Sequence, residues 1–150
     1  QLLGSQNDMA TIRLVLEELN VGFVAFSPMA NGLLTGAYGK DDKFDPKLDY
    51  HSAMPQFAPE AAEQNRELLR VLGILAEEKH ATPGQLSLAW MLCKKPYLVP
   101  IPGSRKVERM RENAGAADVT LSAAEVEQID QILDTIPMSA VFGGTAAKSR

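Results

Sequence analysis

The sequence contains a single cysteine, Cys93. That excludes an intrachain disulfide framework and a cysteine-based zinc cluster. Cys93 falls in an apolar helical stretch, so it reads as a buried structural thiol rather than a nucleophile. Basic charge is also in deficit: 15 Lys and Arg stand against 19 Asp and Glu, a net charge of −4, with no long cationic run. This argues against general nucleic-acid binding. No apolar run approaches the roughly 18 residues of a membrane span, and no stretch reads as a signal peptide. The expectation is a cytoplasmic protein without membrane attachment. Histidine is scarce, with 2 in the chain. His51 reads as an exposed loop residue, and His80 as a residue favourably placed at a helix C-terminus. The chain begins at Gln1, without an initiator Met and almost within a helix, which points to a piece cut from something longer.

What is present suffices for one domain: 150 residues, 45% hydrophobic and 23% charged. Residues 8–19 place Ile12, Val15, Leu16 and Leu19 at i, i+3, i+4 and i+7, a helix closed by Asn20 in a left-handed position. Val21–Phe26 is continuously apolar, which suits a parallel strand buried on both faces. Ser27-Pro28 ends it, and the Gly-punctuated segment Met29–Gly36 follows at the strand end where parallel α/β proteins bind ligands. Residues 37–58 read as a long polar loop whose Tyr38, Phe44, Tyr50 and Phe57 either pack it down, the favoured reading, or line a pocket. A helix over 59–79 buries Leu68, Leu72, Leu75 and Ala76. Thr82-Pro83-Gly84-Gln85 opens the next helix with a capping box, and that helix is apolar on most sides. Tyr97–Ile101 is the second strand. A second capping box at Ser122–Glu125 starts the last helix, and the tail 137–150 reads as mobile. Strands alternating with helices give an α/β fold with a parallel sheet.

The stretch after the second strand carries the chemistry. Pro102-Gly103-Ser104 breaks the strand, and Ser104 can cap a short helix. On that helix Arg105, Arg109, Glu112 and Asn113 fall at i, i+4, i+7 and i+8 and share a face. A strand end feeding a helix N-terminus is a natural anion site. Arginine forks match a phosphate bidentately. The competing reading is a solvated surface helix on which Arg109 and Glu112 pair at i,i+3.

Phe26-Ser27-Pro28-Met29-Ala30-Asn31-Gly32-Leu33-Leu34-Thr35-Gly36 resembles the strand-seven loop of aldo-keto reductases. Ile101-Pro102-Gly103-Ser104-Arg105 through Glu112-Asn113-Ala114-Gly115-Ala116 resembles the segment that holds the adenosine 2′-phosphate of NADP(H) in that family. The resemblance implies the C-terminal part of a TIM (β/α)8 barrel, helix-rich with about two parallel strands, across residues 1–150. It implies that Ser27, Pro28, Met29, Ala30 and Asn31 lie along the nicotinamide ribose and pyrophosphate, with the Phe26 ring near the nicotinamide. Gly103, Ser104 and Arg105 would wrap the adenosine phosphate. Arg109 would reach the 2′-phosphate or stack on adenine, and Glu112 and Asn113 would bond the adenine edge. One departure is Ala37, where many members carry Lys; either Lys40 compensates or the pyrophosphate grip is weaker.

The family's catalytic Asp, Tyr, Lys and His motifs are not found, and Tyr38, Tyr50 and Tyr97 do not occupy matching positions. The resemblance therefore implies an NADP(H)-dependent reductase of small-molecule aldehydes or ketones as the parent protein, and an inactive chain when taken alone. Two alternatives stand beside this. One is a non-catalytic NADP(H)-binding regulatory subunit. The other is a remnant that pairs with another copy, or with the missing N-terminal part, through open strand edges.

Overall fold

The computed structural model describes residues 6–39, 41–136 and 139, with no description of side chains over 6–10. Helix α1 spans Gln6–Leu19, strand β1 Phe23–Phe26, helix α2 Pro59–Glu78 and helix α3 Pro83–Lys94. Strand β2 spans Leu98–Ile101, helix α4 Val107–Ala114 and helix α5 Ala123–Thr135. Short 3₁₀ turns fill Ala30–Thr35, Tyr50–Ala53, Pro55–Phe57 and Gly115–Asp118. The segment 137–150 lies outside the described residues apart from Ser139, whose backbone N–H and hydroxyl bond the buried Asn65 amide.

The local signals account for the helix ends. Asn20 closes α1 at φ 53°, a left-handed conformation that Asn tolerates. His80 does the same after α2, at φ 53°. Both capping boxes form: the Thr82 hydroxyl accepts from the Gln85 N–H at 3.2 Å, and the Ser122 hydroxyl from the Glu125 N–H at 3.3 Å. Each satisfies a backbone donor that a helix start otherwise leaves to water.

Helix α3 is the centre of the molecule. Its Leu86, Leu88, Ala89, Trp90 and Met91 are buried, and Ala76, Ala116, Leu121 and Ile129 close around them from α2, the 115–118 turn, the segment before α5 and α5 itself. The Trp90 indole N–H donates to the Asp130 carboxylate at 3.0 Å, which also pairs with Lys94 at 2.6 Å. Cys93 contradicts the buried reading. It is exposed, because the last turn of α3 presents Leu92 and Cys93 away from the core.

β1 and β2 pair in parallel, with Phe23 opposite Leu98, Val24 opposite Val99, Ala25 opposite Pro100 and Phe26 opposite Ile101. Ala25 and Leu98 are buried, while Val24, Phe26, Val99 and Ile101 are between 51% and 59% exposed. The continuous apolar run of β1 is therefore not buried on both faces as expected. The sheet has two strands among the described residues, and α3 packs against one side of it. The apolar stripe of α1 is turned outward too, with Ile12, Val15 and Leu19 exposed.

A candidate cofactor site at the strand ends

Both strands run in the same direction, so both deliver their following loops to one end of the sheet. There the loops border an open cavity of about 450 Å³. Ser27, Pro28, Met29 and Asn31 line it from the loop after β1. Gly103, Ser104, Arg109, Glu112 and Asn113 line it from the segment after β2. The two stretches, separated by some seventy residues of sequence, thus form facing walls of one space.

The first wall is built from unusual backbone. Ser27, Ala30 and Asn31 adopt φ of 49°, 49° and 58°, and Gly32 follows at 98°. Side chains rarely take this left-handed region, so the surrounding structure must hold it there. The Ser27 hydroxyl donates to the Asn31 side-chain oxygen at 3.1 Å, and the Thr35 hydroxyl to the Gly32 carbonyl at 2.6 Å. Gly32 is required twice over: its φ is positive, and a Cβ there would lie 2.8 Å from the Tyr38 ring.

The second wall differs from the sequence expectation at its helix start. Ser104 does not cap α4. Lys106 occupies the cap position with extended backbone and no side-chain cap, and the Ser104 hydroxyl instead accepts from the Lys106 N–H at 3.1 Å. This short Ser turn postpones the helix to Val107. Arg105 therefore lies before the helix rather than on a shared face with Arg109, Glu112 and Asn113. Phe26, Ala30 and Arg105 are not among the cavity walls. Ala30 is buried beneath them, while Phe26 and Arg105 are exposed.

Arg109 pairs with Glu112 at 2.6 Å, the i,i+3 bridge of the surface-helix reading. The bond uses Nη1, leaving other guanidinium donors at the cavity. Glu112 also accepts from the Thr82 hydroxyl at 2.7 Å. Partial burial pushes its carboxyl upward, but the bonds from Thr82 and Arg109 outweigh this and hold it below the ordinary glutamate value.

Residues 37–58 supply a third wall. Tyr38, Phe44 and Phe57 pack edge to face at centroid distances of 5.3–5.6 Å, so the aromatics do pack the loop down. Tyr38 and Tyr50 also line the cavity. So does His51, which is not the exposed loop residue expected: its side chain is 12% exposed. Its Nδ1 lies 2.6 Å from Asp49 Oδ1 and its Nε2 3.1 Å from the Asn31 carbonyl. The Asp49–His51 pair was the only local signal, and the Asn31 contact spans 20 residues of sequence. Ala37 also lines the cavity, while Lys40 lies outside the described residues.

Comparison with known proteins places the chain among aldo-keto reductases. The chain is 37% identical over 117 residues to aldo-keto reductase str7 of Strobilurus tenacellus, covering 78% of this chain and 34% of that protein. It is 39% identical over 117 residues to the aldo-keto reductase yakc of Schizosaccharomyces pombe, whose name specifies NADP(+), with 78% and 34% covered. It is 33% identical over 127 residues to probable aldo-keto reductase 1 of Glycine max, with 85% and 35% covered. The chain thus spans about a third of the length of the curated relatives it matches. A solved structure of a thermostable aldo-keto reductase in complex with the inhibitor epalrestat matches at 26% identity and a TM-score of 0.51, over 79% of this chain and 32% of its own. The helix-rich fold with two parallel strands is that of part of an α/β barrel. The Aldo/keto reductase family model matches residues 2–134, and the chain belongs to that family.

Proposed function

We propose that this chain forms the NADP(H)-gripping part of an oxidoreductase that reduces aldehydes or ketones. The observation that carries the reading is the shared cavity in which Ser27, Pro28, Met29 and Asn31 face Gly103, Ser104, Arg109, Glu112 and Asn113 at the strand ends. Its donor set fits a phosphorylated dinucleotide. Arg109 supplies a guanidinium, Ser27 and Ser104 supply hydroxyls, and Asn31 and Asn113 supply amides. Gly103 leaves open space where a Cβ would stand, so a phosphate can approach the backbone closely. The printed cofactor of the Schizosaccharomyces pombe relative supports NADP(+) as the nucleotide.

When bound, the nicotinamide supplies a hydride; the protein's part is to bind and orient it. Arg109, at the cavity, and Arg105, just outside it, would hold the 2′-phosphate, while Ser27 and Asn31 would meet the ribose and pyrophosphate. Glu112 and Asn113 would meet the adenine edge. The family's catalytic motifs are not recognised in the sequence, and we propose that the chain alone does not turn over substrate. The test is a fluorescence titration with NADPH and NADH. Arg105→Ala with Arg109→Ala is expected to weaken NADPH far more than NADH, since only NADPH carries the 2′-phosphate. Equal losses would refute the phosphate grip. Turnover of a reactive aldehyde by this chain would refute its inactivity.

A further inference from the structure

We infer that His51 is a positioning residue of the cofactor site, holding the left-handed turn at Asn31–Gly32 in its binding conformation. The inference rests on the cofactor reading above. Three consecutive residues of the turn are held by the 37–58 segment. Gln56 Nε2 donates to the Ala30 carbonyl at 3.3 Å, His51 Nε2 lies 3.1 Å from the Asn31 carbonyl, and the Tyr38 ring sits against Gly32. Of the three, only His51 both bonds the turn and lines the cavity wall beside it.

The ring is itself fixed. Tyr50 stacks on it at 4.5 Å, Phe57 meets it edge-on at 4.8 Å, and Asp49 takes its Nδ1. Asp49 is committed to the ionised form. The backbone N–H of His51, and then its ring, hold the Asp49 carboxyl below the ordinary aspartate value. Both partners of the ring, a carboxylate and a backbone carbonyl, are acceptors. Any hydrogen bond to them is donated by the ring, from Nδ1 to Asp49 and from Nε2 to the Asn31 carbonyl. Asp49 and His51 then act as one cross-link. The carboxylate orients the ring, and the ring secures a carbonyl of the strained turn whose Ser27 and Asn31 side chains face the ligand.

The test uses the whole chain, with histidine ring nitrogens and backbone carbonyls labelled for NMR and with NADPH as the titrant. A through-hydrogen-bond coupling between His51 Nε2 and the Asn31 carbonyl is expected; its absence would overturn the cross-link. His51→Phe keeps the ring packing but removes both polar contacts, and a loss of NADPH affinity on the order of tenfold is expected. His51→Gln sacrifices the packing but keeps an amide donor for the Asn31 carbonyl, and should recover most of that loss. The opposite ranking, or unchanged affinity in His51→Phe, would overturn the inference by making His51 a packing residue only. Should His51→Phe not fold, His51→Leu takes its place: an affinity about tenfold below that of His51→Gln supports the role, and equal affinity overturns it. Absence of NADPH binding in the unmodified chain would instead defeat the cofactor reading, and the His51–Asn31 coupling alone would decide whether the cross-link exists.

Discussion

Gly32 sits at φ 98° with the Tyr38 ring where its side chain would go. Gly32→Ala is expected to destabilise the chain by roughly 1–3 kcal/mol, combining left-handed strain with displacement of an aromatic ring. Urea unfolding of the two proteins measures this, and Gly36→Ala is the control. Gly36 is also left-handed, at φ 69°, but has open space around it, so it should lose less. Glu125 carries a pH-dependent interaction at the same scale. Lys79, followed by the Ser122 N–H and hydroxyl, holds its carboxyl down to about 2 from an ordinary 4.5. A carboxyl depressed by folding contributes stability that is fully present above its unfolded value. That contribution is lost as pH falls from about 4.5 towards about 2. Melting temperature followed through this window should fall less steeply in Glu125→Gln than in the unmodified chain.

The start of α3 joins two elements. Thr82 caps the helix and donates to Glu112 at 2.7 Å, and the Gln85 side-chain amide donates to the Glu112 carbonyl at 3.0 Å. A Cβ at Gly115 would lie 2.7 Å from that amide, which explains a glycine there. Thr82→Ala should cost about 1 kcal/mol through the cap and also remove the Thr82 bond to the Glu112 carboxylate at the cavity, leaving it held by Arg109. Thr82→Ser should restore both, as read by thermal unfolding and by NADPH titration. The two capping boxes and the left-handed Asn20 were readable in sequence because their causes lie within a few residues, and the parallel strands because strands and helices alternate along the chain. The start of α4 was not, because a Ser104 turn competes with a Ser104 cap for the same hydroxyl, and the turn wins. His51 was misread because its partner on the turn is 20 positions away. Cys93 was misread because an apolar helix does not itself disclose which side the core will take.

On the scale of the whole molecule, the outer sheet face is the conspicuous feature. Val24, Val99 and Ile101 are 59%, 52% and 51% exposed on adjacent, in-register positions. Contiguous apolar surface of this kind drives association. Sedimentation of the isolated chain is expected to show concentration-dependent self-association, and Val24→Thr with Val99→Thr should reduce it. A monomer at all concentrations would count against this. The 37–58 segment is fastened to the turn at both ends, by Tyr38 at one and by His51 and Gln56 at the other. Between these anchors Leu48 is 87% exposed and Lys47 is exposed beside it. A protease that nicks the chain after Lys47 would therefore leave the two pieces clasped around an intact cavity, separable only by denaturant.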